Sequence, residues 1–397
     1  MSLPSLDDLG EPQRVFVRAD LNVPLESGSV ADDFRIRMTL PTLEELLEGG
    51  ASVVLASHLG RPKGRVVEDM RLGPVADRLS KLLGADVMAL DETVGEEVEA
   101  ACSHVGPGEI VLLENLRFDP GEEANAPEFA ERLAALADAY VNDAFGAAHR
   151  AHASVAALPE LFRRKGLPAV AGRLLHREVE VLSRLRDAPE RPYVAVLGGA
   201  KVSDKLETMG ALVERVDALL IGGAMAFTVI AAGGGRVGAT LCEADRFDDV
   251  RTARRRARER GVLIQLPEDA VAAPEMSVDS PRRTVPAHEV PAGEMALDIG
   301  PRTVEEFART LADAATILWN GPMGVFELEP FSAGTRGIAT AMAGAPAFTV
   351  VGGGDTLAAV RKLGLEGSFD HLSTGGGASL ELLEGRTLPG IAALEVG

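Results

Sequence analysis

The 397-residue chain is 46% apolar and 25% charged, an ordinary globular composition, and its 60 acidic against 40 basic residues leave a net charge of −20. That balance excludes nucleic acid or an anionic membrane as the partner of the surface as a whole. Two cysteines, Cys102 and Cys242, cannot build a disulfide framework, and MSLPSLDDLG has neither a basic start nor an apolar h-region; a reducing, cytoplasmic setting is expected. Length alone suggests two or three domains.

Apolar runs of strand length alternate with helical patterns along the whole chain. In the first half they are 14–19 (RVFVRA), 51–57, 86–90, 110–115 (IVLLEN) and 139–144. FRIRMTLPTLEELLEGG, from residue 34, reads as the start of a helix, and 171–185 has the spacing of a connecting helix. In the second half the runs are 193–199 (YVAVLGG), 218–223, 262–267, 316–321 (TILWNG) and 348–354 (FTVVGGG). They are continuous rather than alternating, as strands buried on both faces are, so two parallel α/β sheets are expected. Residues 218–235 and 337–354 each run 18 residues without charge. Glycines interrupt both, and a buried strand–turn–helix unit is expected in each rather than a membrane span.

Open parallel sheets bind ligands beyond the carboxyl ends of their strands. In the first half the residues there are polar and mostly basic: Asp20 and Asn22; His58, Arg61 and Lys63; Arg117; His149, Arg150 and His152. Arginine forks match carboxylate and phosphate, so this set reads as a pocket for a small polyanion. His149 and His152 read either as hydrogen-bonded structural histidines or as anion contacts. In the second half the followers are glycine-rich: GGAK (198–201), GGAM (222–225), NGPMG (320–324) and GGGDT (352–356). Glycines let backbone N–H groups approach phosphate at a helix N-terminus. Asp355 reads either as an N-cap or as a carboxylate for Mg²⁺. Lys201 and Lys205, two of only six lysines, stand four apart and are expected to share a helix face with an anion between them. No Walker A sequence and no G-x-S-x-G elbow occurs, and GGGRVG (233–238) follows a helical stretch and reads as a loop. The 34 arginines against six lysines, with the −20 charge, suit a protein kept soluble at high salt.

RADLNVPL (18–25), FRIR (34–37), ASHLGRPKG (56–64), LLENLRF (112–118), YVNDAFGAAHRAHAS (140–154), LGGAKVSDKL (197–206), LDIGPRT (297–303), ILWNGPMGVFE (317–327), VVGGGDT (350–356) and STGGGASLELLEGRTLPG (373–390) together closely resemble the phosphoglycerate kinase family, in order and over nearly the whole chain. The resemblance implies an α/β fold of two Rossmann-like domains, each a parallel sheet flanked by helices, joined by a connecting helix with a cleft between them. It implies a 3-phosphoglycerate domain over 1–170, the helix over 171–188, a nucleotide domain over 189–380, and a tail, 381–397, returning to the first domain. It implies phosphoryl transfer from 1,3-bisphosphoglycerate to MgADP, giving 3-phosphoglycerate and MgATP.

Carried over by position, Asp20, Asn22, Arg35, His58, Arg61, Arg117 and Arg150 would hold the glycerate substrate. Lys201, Lys205, Asn320, Glu327, Gly352, Gly353, Gly354, Asp355 and Thr356 would hold the nucleotide, with Glu327 at the ribose and Asp355 on Mg²⁺. Arg35, Lys201 and Gly354 would attend the phosphoryl group in transfer. A monomer acting on small molecules is implied, with no nucleic acid or membrane partner. Departures from the family pattern are Ala147 for threonine, Ala296 for glycine, Asp119 for histidine and Arg386 for lysine. The alternatives are an inactive nucleotide-binding regulator on the same fold and a kinase for another small carboxylate; the intact Lys201, Arg35 and Asp355 stand against the first and the complete basic set against the second. The chemistry asks for no general base, because a phosphate oxygen in one direction and a carboxylate in the other are already ionised near neutral pH. Two sites in different halves of the chain must close on one another.

Overall fold

The computed structural model describes residues 3–11 and 13–395. The chain divides into two units, one holding residues up to Glu180 together with the segment from Thr387, the other Val181–Arg386.

The first unit is built on six parallel strands, β1 (Arg14–Ala19), β2 (Ser52–Ala56), β3 (Val87–Ala89), β4 (Ile110–Leu112), β5 (Ala139–Asp143) and β6 (Ala169–Ala171). They lie in the order β3-β4-β2-β1-β5-β6. The chain leaves β1 on one side and later returns on the other, so the crevice at the carboxyl ends of β1 and β5 is a topological switch point. Val53, Val54 and Leu55 of β2 are fully buried, each stabilising the sheet by about 1.5–3 kcal/mol. Helix α1 (Phe34–Glu48) starts where the Asp32 carboxylate accepts the Phe34 N–H at 3.0 Å. Its buried stripe, Ile36, Leu43 and Leu46, joins the core of the unit, and its first turn carries Arg35. The last segment of the chain packs on the same unit: Gly390 donates to the Ala148 carbonyl at 2.8 Å, and Arg163 to that of Ala393 at 3.2 Å. Gly390 admits no side chain, since a Cβ would lie 2.6 Å from Val155 and 3.0 Å from Ala148.

Helix α2 (Arg173–Asp187) follows β6. Ala171 therefore ends a strand, and the helical pattern begins two residues later than its apolar spacing suggests.

The second unit repeats the design with β7 (Tyr193–Leu197), β8 (Ala218–Ile221), β9 (Leu263–Gln265), β10 (Thr316–Asn320), β11 (Phe348–Gly352) and β12 (His371–Leu372), all parallel, in the order β9-β8-β7-β10-β11-β12. Its switch point lies between β7 and β10. A smaller antiparallel sheet of Asp269–Ala273, Arg283–Pro286 and Met295–Ile299 stands beside it. Residues 218–235 fold as a strand–turn–helix unit, β8 into α3 (Gly223–Ala232). Residues 337–354 run the other way, from a helix (Ala333–Ala343) through a turn into β11. Lack of charge reports burial, not the order of elements. Among the described residues no helix is long and apolar enough to cross a membrane.

Candidate active site

The followers of β1, β2 and β4 meet in the first unit. Asp20 and Asn22 leave β1, and Arg35 reaches back from α1. Arg35 Nη1 donates to Asp20 Oδ1 and Oδ2 at 3.2 and 3.1 Å and to the Asn22 carbonyl at 3.3 Å. Asn22 Oδ1 accepts the Gly60 N–H at 2.9 Å, tying the β1 loop to the loop after β2. Gly60 turns that loop at φ +63°, where a Cβ would press on Met70 Sδ at 2.9 Å. Arg117 Nη1 donates to the Gly60 carbonyl at 2.7 Å. Burial, with Arg18 beside it, holds that guanidinium below its usual range. His58 is buried, and burial followed by Arg18, Arg117 and Arg35 drives its pKa well below the ordinary value. Arg61 is exposed next to Gly60. Arg150 is exposed beyond β5, its Nε 3.3 Å from His149 Nε2. His152 is buried, its pKa pushed down to about 4, so it sits there as a neutral ring.

Four further residues shape this site. Asn115, fully buried, pins the loop that carries His58: its Oδ1 accepts from Leu59 N at 3.2 Å and Arg117 N at 3.1 Å, and its Nδ2 donates to the Leu59 carbonyl at 2.8 Å. Arg18, Glu122 and Ser154 form a buried group against His58. Arg18 leaves a trace in the sequence as a charge within a mostly apolar strand run, Asn115 closes the run 110–115 and Ser154 the stretch 140–154, and nothing in the sequence marks Glu122.

In the second unit, three glycine loops fuse at the ends of β7, β8 and β10. Gly199 N donates to Pro322 O at 3.0 Å, Met225 N to Gly199 O at 3.1 Å, and Gly223 N to Met323 O at 3.1 Å. Gly223 has φ +64°, and a Cβ there would meet the Gly199 nitrogen at 2.6 Å, so the loops interlock only with glycine. Asn320 ends β10 and accepts a hydrogen bond on Oδ1 from Lys205 Nζ. Burial brings Lys205 down to about 8, against the opposing pull of Asp204 and Asp355.

Helix α4 (Gly354–Lys362) opens directly after β11, with Gly353 (φ +91°) as its N-cap. Thr356 Oγ1 accepts the Gly321 N–H at 2.7 Å and locks this turn to β10. The first-turn N–H groups of α4 have no intrahelical acceptors, which suits phosphate. Beside them is a cavity of about 320 Å³ lined by Gly199, Phe227, Leu241, Met276, Ala296, Met323, Glu327 and Asp355. Apolar walls with two carboxylates at the rim fit a planar base and a ribose. Ala296 is part of that wall, and its N–H is taken by Thr240 Oγ1 at 2.9 Å.

The two lysines do not share a helix face. Lys201 is exposed in the loop after β7, and Lys205 ends a short 3₁₀ turn (Ser203–Lys205) before the next helix starts at Leu206. The tight glycine turn displaces the helix start past both. Asp355 is exposed at the second position of α4, and no described Lys, Arg or His lies within ion-pair distance of its carboxylate.

A basic strand-end cluster in one parallel sheet and a glycine-rich helix-opening turn in another suit an α/β phosphotransferase. Residues 6–386 match the family model described as phosphoglycerate kinase. The chain is 53% identical over 382 residues to the phosphoglycerate kinase of Moorella thermoacetica, covering 96% of each chain. It is 55% identical to that of Salinispora tropica, covering all of each. Among solved structures it resembles phosphoglycerate kinase from Coxiella burnetii (42% identity, TM-score 0.86) and from Pyrococcus horikoshii (33%, 0.87), each over 99% of this chain and 98% of the other. The chain belongs to the phosphoglycerate kinase family.

Proposed function

We propose that the first unit binds 3-phosphoglycerate or 1,3-bisphosphoglycerate through Asp20, Asn22, Arg35, His58, Arg61, Arg117 and Arg150. The second unit binds the adenine nucleotide through Lys201, Lys205, Asn320, Glu327 and the loop 352–356. The single observation that carries this reading is the pairing of an arginine cluster at one switch point with a glycine-lined phosphate turn and apolar cavity at the other.

In the ATP-forming direction an ADP phosphate oxygen attacks the acyl phosphate, and the bond from phosphorus to the carboxyl oxygen breaks; no proton moves. Catalysis is then positioning and charge stabilisation. Arg35, Lys201 and the Gly354 N–H would attend the phosphoryl group in transfer. Lys205, fixed by Asn320, takes a nucleotide phosphate. Asp355 fits Mg²⁺, which takes one or two carboxylates plus substrate phosphates and, when bound, neutralises phosphate charge. Because the ligands belong to different units, transfer requires a closure that also excludes water. The enzyme is read as a cytoplasmic, magnesium-dependent monomer. The test is a coupled assay with 3-phosphoglycerate, ATP and Mg²⁺, each omitted in turn: turnover should vanish with every omission, and turnover without 3-phosphoglycerate overturns the assignment.

A further inference from the structure

Arg18 lies within β1, paired in register with Ala56 of β2 and Asn142 of β5, and it is fully buried. A charge so placed is costly unless its donors are taken and its charge is balanced. Its Nε donates to Ser154 Oγ at 2.8 Å, and Nη1 donates to the Ala19 carbonyl. Glu122, also fully buried, stands 4.0 Å from Nη2. Glu122 is itself held by the Ser154 hydroxyl at 2.6 Å and the Ser154 N–H at 2.9 Å. The remaining contact is Nη2 to His58 Nδ1 at 3.2 Å.

A guanidinium has donors only, so His58 Nδ1 is the acceptor in that bond. A neutral imidazole whose Nδ1 accepts carries its proton on Nε2. His58 Nε2 makes no hydrogen bond to any described residue, so that proton is available to a ligand. Four cationic or titratable neighbours, Arg18, Arg117, Arg35 and His152, oppose a second proton on the ring, in line with its lowered pKa.

We infer that Arg18 is a positioning residue that locks His58 as the neutral Nε2–H tautomer, so that His58 offers the substrate a directed hydrogen-bond donor rather than a charge. The inference rests on the reading of this cluster as the glycerate site. Arg18 itself stays behind the site, its charge matched by Glu122, and acts only through the ring.

The test is nitrogen NMR of the whole protein labelled on its histidine rings, with His58 assigned by His58→Gln. In the unliganded wild-type protein His58 should hold one proton, on Nε2, and should not titrate in the ordinary histidine range around pH 6.5. A ring that takes a second proton near pH 6.5, or that carries its proton on Nδ1, overturns the lock without any variant needing to fold. Arg18→Lys keeps the charge but not the planar fork; His58 should then titrate or populate both tautomers, and an unchanged signal overturns the proposal. In kinetics Arg18→Lys should raise KM for 3-phosphoglycerate about tenfold and leave KM for ATP unaltered. In a His58→Gln background, which has no tautomer to lock, the same change should add little; effects that simply multiply count against the coupling. A locked ring whose signal does not respond to 3-phosphoglycerate would instead refute the substrate reading of the cluster.

Discussion

Arg35 meets Asp20 through one nitrogen alone: Nη1 spans both carboxylate oxygens, at 3.2 and 3.1 Å. Its Nη2 and Nε make no hydrogen bond to a described residue. Asp20 thus aims the guanidinium while leaving the rest of its fork for a ligand, which is how a preorganised anion donor is built.

Losing that donor should lower kcat by about 10²–10³ in Arg35→Ala. Arg35→Lys should recover only part, because an ammonium cannot replace the fork, and ATP binding should hold in both. Arg37 points away, bonded to Asp33 at 2.8 Å and exposed, so Arg37→Ala should be mild. Steady-state kinetics with an ATP titration decide this; near-native kcat in Arg35→Ala would refute the role.

Lys205 should give nucleotide binding a pH dependence. With its pKa brought down to about 8 by burial, the free enzyme loses this positive charge as pH passes 8, and KM for ATP should rise there. In Lys205→Arg, whose guanidinium stays charged, the inflection should disappear from the range pH 7–9. Profiles with the same inflection in both proteins would assign it to another group.

Asp143 and Asp298 should make the fold less stable as pH rises. Each is buried and pushed up to about 7. A carboxyl with a folded pKa above its unfolded value stabilises fully below the unfolded value, and that contribution is lost as pH climbs through 7. Asp143 Oδ1 accepts from Leu174 N at 2.9 Å. Asp143→Asn has no proton to lose, so it should gain on the wild type by roughly 1.4 kcal/mol per pH unit from 5 to 7. Melting curves at pH 5 and 8 read this directly; a constant difference in Tm between the proteins refutes it.

The −20 charge should make stability depend on salt. Self-repulsion is screened over about 10 Å at 0.1 M and about 3 Å at 1 M. Tm should therefore rise between dilute buffer and molar KCl. A flat response would remove the high-salt reading and leave the kinase assignment as it is.

Closure should need both ligands. Small-angle scattering should show a smaller radius of gyration with 3-phosphoglycerate and MgATP together than with either alone; equal compaction with nucleotide only would count against a two-ligand clamp.

The sequence by itself determined that the sheets are parallel and buried, because continuous apolar runs such as RVFVRA and YVAVLGG have no polar face to turn to water. It also determined which residues stand at strand ends, since Asp20 and His58 follow those runs directly and Asn320 and the glycines at 352–354 close them. Only the tertiary structure decided what depends on distant neighbours: the strand order that puts β1 beside β2 and β5, the helix-before-strand order of 337–354, and the placing of Lys201 in a loop and Lys205 at the end of a 3₁₀ turn rather than on one helix face. Arg18 shows the reason most sharply. Periodicity records whether a residue is buried, not what it meets there, and its partners Glu122 and Ser154 lie more than a hundred residues along the chain. Packing brings them together, and through that contact a charge inside a strand comes to set the proton on His58.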